Sequence, residues 1–222
     1  MPRNRRFVVE SLLDAAAGSN RRLKPEEIRH LGVLRLEAGA ELEVIDGAGG
    51  CWRARLLPGL EGVELLAPVA SPADSAKAPR ILLACAWPKG KRASLLVEKC
   101  TEWGAGAFYP LRCQRGVVVK RDDSAGLERL RRIVLAAAKQ SRRADTPLIE
   151  PLSGLPEVLA LSGVGQRYVL DPGASQDLRE ALDHDRRSLA DSSGPPGDAL
   201  FLIGPEGGFT PEELQQCFTG GA

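Results

Sequence analysis

A continuous apolar run over residues 199–203, A-L-F-L-I, is followed at once by a proline and three glycines within residues 204–208. An apolar run bounded in this way predicts a strand buried on both faces, and such strands belong to parallel sheets covered by helices. The next residues favour a helix start, because Thr210 can cap the helix, Pro211 suits its first position and Glu213 can close a capping box. The pattern therefore predicts a strand, a glycine loop and a helix.

The same alternation of strand and helix extends over residues 80–222. Strands are predicted at 81–86, 107–111, 168–170 and 199–203, and helices at 91–103, 123–143 and 178–187. On the first of these helices we expect Leu95, Leu96 and Trp103 to face inward. Strands that alternate with helices indicate an α/β domain with a mostly parallel sheet.

The pattern before residue 80 differs, because short strands with alternating side chains dominate it. A strand is predicted at 5–9 and a helix at 24–35, with Ile28, Leu31 and Leu34 buried and Arg35 outward. Further strands are predicted at 42–45, 51–57 and 63–67, with an Asp46-Gly47 hairpin turn after the first of them. Several short strands in sequence indicate a small β-barrel. The predicted domains are therefore 1–70 and 80–222, joined by a linker at 71–79 that is rich in Ala, Pro and Ser.

Composition narrows the class of protein. Apolar residues make up 43% and charged residues 27% of the 222 residues, which is ordinary for a globular protein. No apolar run approaches the length of a membrane span, and Glu10 and Asp14 interrupt the N-terminal stretch that could resemble a secretory signal. The five cysteines show no C-x-x-C spacing, so we expect reduced thiols in a cytoplasmic protein and no metal site.

The formal net charge of +1 hides a strong segregation of charge. Residues 1–35 and 77–149 carry net charges of +4 and +10, whereas residues 36–76 and 150–222 carry −5 and −8. If the basic segments face the same way, the molecule has a positive side suited to a polyanion such as nucleic acid. The alternative is that the segments neutralise each other across the fold.

The glycine loop is the first candidate for ligand binding, because open α/β sheets bind ligands outside the carboxyl ends of their strands. It matches neither G-x-x-x-x-G-K-[ST] nor G-x-G-x-x-G. Instead Glu206 lies in the turn, where a carboxylate repels phosphate and suits a cationic or hydroxyl-rich ligand. An adenosine that carries a sulfonium and an ammonium group fits these terms. The alternative is a plain turn in which Glu206 is solvated or bonds the amides of the following helix.

The segment L-I-G-P-E-G-G-F-T-P-E-E at 202–213 resembles the signature of the ribosomal RNA small subunit methyltransferase E family, which belongs to the knotted SPOUT methyltransferases. Other stretches resemble the family over nearly the whole length. Residues 89–92 and 98–104 are similar to its K-x-x-K and K-x-T-E-L-G, with Trp103 in place of Leu. Residues 136–143 are similar to A-A-x-Q-S-x-R, with Arg142 in place of Gly. Residues 113–116 keep only the Arg of a T-E-R-S-like motif.

The resemblance implies a fold and an activity. The fold is an N-terminal PUA-like RNA-binding β-barrel followed by a SPOUT α/β domain with a trefoil knot. The activity is methyl transfer from S-adenosylmethionine to N3 of a uridine in 16S ribosomal RNA, by a homodimer acting in the cytoplasm. Two alternatives stay open: a SPOUT ribose 2′-O-methyltransferase, and a non-catalytic RNA-binding or assembly protein.

The resemblance also assigns residues to roles. Spacing alone predicts two solvated i,i+3 pairs, Lys99 with Glu102 and Gln140 with Arg143. The resemblance to the family motifs instead implies that these four residues line an RNA-facing site. The catalytic candidates are Glu102 and Arg143, with an arginine of the N-terminal domain as the alternative. The donor-binding candidates are Leu170, Asp171, Leu202, Ile203, Gly204, Pro205, Glu206, Gly207 and Gly208. The RNA-binding candidates are Arg6, His30, Arg35, Lys89, Lys91, Lys99, Arg115 and Gln140.

The family pattern continues after the glycine loop and its helix with L-G-x-x-I-L-R-x-E-T-A, which this sequence does not contain after residue 218. In the family this motif forms one wall of the donor pocket, the knot and much of the dimer interface. We therefore expect a C-terminally truncated methyltransferase domain with an incomplete knot.

Overall fold

The computed structural model describes residues 5–70, 79–116, 124–190 and 197–222. The chain divides into two compact units, and each is described by itself. Unit 1 comprises Met1–Ala76 with Val134–Thr146, and unit 2 comprises Lys77–Ile133 with Pro147–Ala222. The predicted linker lies almost entirely outside the described residues, and the domain bounds 1–70 and 80–222 stay a prediction.

Unit 1 is built on five strands, β1 (Arg6–Val8), β2 (Asn20–Arg22), β3 (Glu41–Ile45), β4 (Cys51–Leu56) and β5 (Gly62–Pro68). They form a mixed sheet in the order β1-β3-β4-β5-β2. Strand β1 pairs with β3 in parallel, and the remaining pairs are antiparallel. An isolated bridge between Val9 and Leu23 joins the two edges, so the sheet curls into a half-barrel, which agrees with the predicted barrel. The sequence missed β2, because N-R-R shows no apolar alternation.

Helix α1 (Pro25–Leu34) packs on the core of this half-barrel. Leu31 is fully buried, and Ile28 and Leu34 pack against the same cluster as predicted. Arg35 is exposed and ends the helix in the left-handed conformation. Glu27 is also buried, which the apolar spacing did not indicate.

The connection between β3 and β4 is longer than the two-residue hairpin turn that the sequence predicted. It spans residues 46–50, and the Asp46 carboxylate accepts hydrogen bonds from the N–H groups of Ala48 and Gly50 at 2.8 and 3.0 Å. A side chain that bonds the backbone two residues on is a common way to build such turns. The antiparallel pairing itself is as expected.

Unit 2 alternates strands with helices. The elements are β6 (Ile81–Ala86), α2 (Lys91–Trp103), β7 (Ala105–Leu111), α3 (Ser124–Gln140), β8 (Leu148–Ile149), α4 (Leu155–Leu159), β9 (Val164–Leu170), α5 (Leu178–Ala190), β10 (Asp198–Ile203) and α6 (Pro211–Thr219). The five strands form a wholly parallel sheet in the order β8-β7-β6-β10-β9. The predicted parallel α/β domain is therefore confirmed. The two elements that the sequence missed, β8 and α4, are too short to show a periodic pattern.

The inward face predicted for α2 is wrong. Trp103 is 87% and Leu95 56% exposed, while Leu96 is only half-buried. The buried row is instead Ala93, Val97 and Thr101. Small side chains let the helix approach the sheet, and the Thr101 hydroxyl satisfies itself by donating to the Val97 carbonyl at 2.6 Å.

Helix α3 ends at Gln140 and not at residue 143 as predicted, and residue 123 lies outside the described residues. Arg142, just beyond the helix end, has a φ of 61°. This left-handed conformation favours glycine, which explains why Gly is usual at this place in the family motif. Across the described part of the chain, no helix has the length and apolar character needed to cross a membrane.

Candidate functional site

The glycine loop leaves the carboxyl end of β10, a strand held between β6 and β9. Leu200 and Leu202 of this strand are fully buried. On the far side of the loop, the Thr210 hydroxyl accepts from the N–H of Glu213 at 3.2 Å, and the Glu213 carboxylate accepts from the N–H of Thr210 at 2.9 Å. The predicted capping box is therefore present, and it fixes the point where the loop ends.

Two of the loop glycines are required by its shape. A Cβ atom on Gly204 would lie 3.0 Å from the backbone nitrogen of Phe209, and Gly208 has a φ of 70°. The N–H of Gly208 donates to the carbonyl of Pro205 at 2.8 Å. The loop is thus a tight turn whose backbone is open to close approach by a ligand.

A cleft of about 670 Å³ lies beside this loop. The next strand along the chain, β7, lies on one side of β6, and the later strand β10 lies on its other side. The cleft therefore lies at the point where the order of the strands in the sheet reverses. Such crevices are the usual ligand sites of open α/β sheets, and the volume suits a small organic ligand. We call it the first cleft; it is lined by Ala86, Trp87, Pro88, Lys89, Lys91, Arg92, Leu111, Gly116, Gly204, Pro205 and Glu206.

The rim of the first cleft is cationic. Lys89 and Lys91 are exposed, and Arg92 lies 3.2 Å from the Glu206 carboxylate with both side chains 78% exposed. An ion pair this exposed contributes little free energy and is easily displaced by a ligand. Glu206 therefore turns toward Arg92, whereas the carboxylate that caps α6 is that of Glu213.

The loop that follows β7 holds the glycine loop from one side. The Arg115 guanidinium donates to the carbonyls of Gly207 and Phe209 at 2.9 and 3.4 Å. The N–H of Gln114 donates to the Glu213 carboxylate at 2.8 Å. The sequence assigned Arg115 to RNA, and it gave no sign of these contacts, because they join segments more than 90 residues apart.

A second cleft of about 690 Å³ runs along β9 and α5 at the same carboxyl edge. Leu170 and Asp171 line it, whereas Gly204, Pro205 and Glu206 line the first cleft. The other donor-binding candidates line neither cleft; they are Leu202, which is fully buried, Ile203, Gly207 and Gly208. In its wall the Tyr168 hydroxyl donates to Asp185 at 2.7 Å, and the Tyr168 ring stacks on Phe201. Burial, followed by the charge and hydrogen bond of Asp185, raises the pKa of Tyr168, which stays a neutral donor.

Three of the four thiols of unit 2 are buried, and their environment keeps them unreactive. Burial raises the pKa of Cys85 and Cys113 to about 12 and that of Cys217 to about 11, so these side chains stay protonated near neutral pH. Within the residues that the structure describes, no group of three His, Cys, Asp or Glu side chains could hold a metal ion.

Glu102 and Lys99 lie away from the first cleft. Lys99 contacts the carboxylates of Glu98 and Glu102 at 2.9 and 3.1 Å, and these contacts raise the pKa of its ammonium group. Glu102 is near the C-terminal end of α2, ten residues beyond Arg92, or about 15 Å along the helix axis. The structure does not bring these two candidates to the glycine loop of the same chain, and their roles stay predictions.

In unit 1 the structure gives Arg6 and Arg143 internal partners. Arg6 is only 9% exposed, pairs with Glu43 at 2.8 Å and donates to the carbonyl of Arg143. The Arg143 guanidinium lies 2.6 Å from the Asp145 carboxylate. Arg143 also lies beyond the end of α3, so it does not form the predicted helical pair with Gln140. Both side chains support the fold of this unit, and their predicted roles in RNA binding and catalysis are untested.

The remaining RNA-binding candidates of unit 1 lie on its surface. His30, Arg35 and Gln140 are exposed, and the His30 ring lies 5.9 Å from that of Phe7. The sequence missed Trp87 and Arg92, which line the first cleft. The signal for Arg92 was available, because Arg92 occupies the position of the second Lys in the K-x-x-K-like stretch.

Comparisons with known proteins agree with this architecture. A family model described as an RNA methyltransferase domain matches residues 76–222, and one described as an RNA methyltransferase PUA domain matches residues 23–59. Among solved structures, a ribosomal RNA small subunit methyltransferase E from Neisseria gonorrhoeae bound to S-adenosyl methionine is 27% identical, with a TM-score of 0.76. That match covers 98% of this chain and 86% of the other.

Curated relatives named ribosomal RNA small subunit methyltransferase E come from Synechocystis and Bacillus subtilis. The Synechocystis protein is 33% identical over 85% of this chain, and the Bacillus protein is 30% identical over 62%. The matched segments span 60% and 54% of these relatives, so the chain covers less than two thirds of their length. The resemblance seen in the sequence is confirmed, and because the domain model matches well over half of its residues, this chain belongs to the RNA methyltransferase domain family.

Proposed function

We propose that this chain transfers a methyl group from S-adenosylmethionine to N3 of a uridine in the 16S RNA of the small ribosomal subunit. The observation that carries the proposal is the tight glycine loop at the carboxyl end of β10, which faces exposed cations across one cleft. The names of the relatives support ribosomal RNA as the substrate, and the S-adenosyl methionine bound in the Neisseria structure supports the choice of methyl donor.

The donor fits the residues at this edge of the sheet. S-adenosylmethionine supplies a methyl group on a sulfonium whose positive charge is lost on transfer. In this proposal the carboxylates of Glu206 and Asp171, which line the two clefts, attract the cationic groups of the donor. The glycines let backbone amides and carbonyls approach the adenosine, while apolar lining such as Leu170 excludes water.

The exposed cations of the first cleft hold the RNA in this proposal. Lys89, Lys91 and Arg92 contact phosphates, which fix the position of the strand without reading its bases. His30, Arg35, Lys99 and Gln140 extend the RNA contacts. Uridine N3 lies on the Watson–Crick edge of the base, so the target must be unpaired or splayed out before it reacts.

Uridine N3 must also lose its proton. Glu102 and Arg143 are the residues proposed to accept this proton or to stabilise the negative base. Glu206 is the carboxylate that lines the first cleft, and in this proposal it binds the donor. The proposal further includes a homodimer as the working form, 16S RNA or the small ribosomal subunit as the partner and the cytoplasm as the location.

The experiment is incubation of the chain with S-adenosylmethionine labelled in its methyl group and with small ribosomal subunits or free 16S RNA. Digestion to nucleosides should give labelled 3-methyluridine. Label in 2′-O-methylated ribose would support the ribose methyltransferase instead. RNA binding without any methylation would support a non-catalytic protein.

The glycine loop provides a matched pair of variants for this experiment. Gly204→Ala places a Cβ atom 3.0 Å from the nitrogen of Phe209 and should abolish methylation by distorting the loop. In Gly207→Ala the nearest atoms lie 3.6 Å away, so its effect should be clearly smaller. Equal effects of the two substitutions would contradict a role for this loop shape.

A further inference from the structure

The side chain of Arg115 contacts the tip of the glycine loop. Its guanidinium donates to the carbonyls of Gly207 and Phe209, and its Cβ and Cδ atoms lie 3.6 Å from where a Cβ of Gly207 would be. Strand β6 separates β7 from β10, so this contact connects loops from strands that are not neighbours. It holds the loop on the side that borders the first cleft, where Gly116 is also found.

Apart from Arg115, the described contact of the loop tip is the highly exposed pair between Glu206 and Arg92, which contributes little to holding it. The bond from Gly208 to Pro205 lies within the loop, and the capping box fixes only the start of α6. Glu206 and Gly207 are exposed. The Gln114 contact to Glu213 anchors the same β7 loop beside the cap, which fixes the base from which Arg115 reaches the tip.

We propose that Arg115 is a positioning residue that holds the glycine loop in the shape that binds the methyl donor. The inference rests on the proposed function for the identity of that donor. One guanidinium nitrogen, Nη1, donates to both carbonyls. The lysine ammonium group also has several N–H donors, but its side chain is one atom shorter, so lysine should replace these bonds only in part. The role differs from the RNA contact that the sequence motif implied for this residue.

The test compares Arg115→Met and Arg115→Lys with Arg112→Met, an exposed arginine of the same loop. The Arg112 side chain has no hydrogen bond or ion pair to any residue that the structure describes, so its removal matches the change in charge alone. By calorimetric titration, the Kd for S-adenosylmethionine should rise about tenfold in Arg115→Met and less in Arg115→Lys. Arg112→Met should leave that Kd unchanged.

Binding of an RNA fragment from the small subunit distinguishes the two roles of Arg115. A positioning residue leaves the RNA Kd and its dependence on salt equal in Arg115→Met and Arg112→Met. If Arg115 instead contacts phosphate, only Arg115→Met lowers the slope of log Kd against log salt, by about one, while the donor Kd stays unchanged. That result would overturn the proposal.

Amide hydrogen exchange of the chain without any ligand separates this inference from the proposed function. The Gly208 N–H, bonded to Pro205, reports the loop shape directly, and it should exchange faster in Arg115→Met than in Arg112→Met. If the unsubstituted chain binds no S-adenosylmethionine, the proposed function fails, and faster exchange still shows that Arg115 holds the loop. Equal exchange in both variants would remove the basis of the inference.

Discussion

The cations of unit 1 and those of the first cleft in unit 2 differ in how the fold uses their charge. In unit 1, Lys139 lies 2.7 Å from the buried carboxylate of Glu27 and 5.6 Å from the centre of the Phe7 ring. In the first cleft, Lys89 and Lys91 are exposed and Arg92 has only a weak surface pair. The comparison teaches that the presence of a basic residue in the sequence does not separate a structural cation from one that is available to a ligand.

The largest expected effect on stability is at the buried pair of Lys139 and Glu27. Lys139→Met leaves the Glu27 carboxylate buried without its cation, and it should lower the free energy of unfolding by about 2 to 3 kcal/mol. Urea denaturation followed by circular dichroism measures the change. The control is Lys99→Met at an exposed pair, which should leave the free energy of unfolding nearly unchanged because solvent screens that pair. Equal costs at the two sites would remove the contrast between the units.

A half-exposed pair should give an intermediate effect that depends on pH. Burial raises the pKa of Asp198, but hydrogen bonds from the side chain and N–H of Arg80, together with its charge, outweigh burial and bring the pKa below the ordinary 3.8. Asp198→Asn should therefore cost about 1 kcal/mol near neutral pH.

The sign of this pH dependence follows from the lowered pKa. The stabilisation by Asp198 is complete above its unfolded pKa and is lost as the pH falls through the lower folded pKa. The difference between the two proteins in urea unfolding should therefore shrink toward zero under strongly acidic conditions. A difference that stays constant with pH would show that the ionised carboxylate is not its source.

A smaller effect on stability, of opposite sign, is expected at Arg142, because the backbone conformation of this residue and not its charge determines the change. Arg142→Gly should raise the free energy of unfolding by about 0.5 kcal/mol, because relief of the left-handed conformation exceeds the entropy that glycine loses on folding. Arg142→Ala removes the same charge without relieving the backbone, and it should bring no gain. Thermal melting of the two variants side by side provides the comparison.

The smallest effect on stability is expected at the first cleft. Arg92→Ala should change the free energy of unfolding by less than about 0.5 kcal/mol, because the pair with Glu206 is highly exposed. The same substitution should reduce the slope of log Kd for RNA against log salt by about one, as expected for the loss of one phosphate contact. A large loss of stability without a change in this slope would make Arg92 a structural cation.

Local patterns were sufficient where neighbouring residues decide the outcome. The capping box, the bounds of β6 and α2, and the buried row of α1 followed from spacing and residue type. The prediction for the inward face of α2 was wrong because it favoured the large apolar side chains. The helix instead packs through small side chains such as Ala93 and Thr101, which allow it to lie close to the sheet. The short β2, β8 and α4 gave no period to detect.

The sequence by itself determined the alternation of strands and helices in unit 2, the tight glycine loop and its capped helix. These features depend on backbone preferences and hydrogen bonds within a few residues. Only the tertiary structure decided that β6 lies between β7 and β10, which brings the cations after β6, Arg115 after β7 and the glycine loop to one edge. It also decided that Arg6 and Lys139 are structural, because each meets a carboxylate that is distant in sequence, that of Glu43 or Glu27.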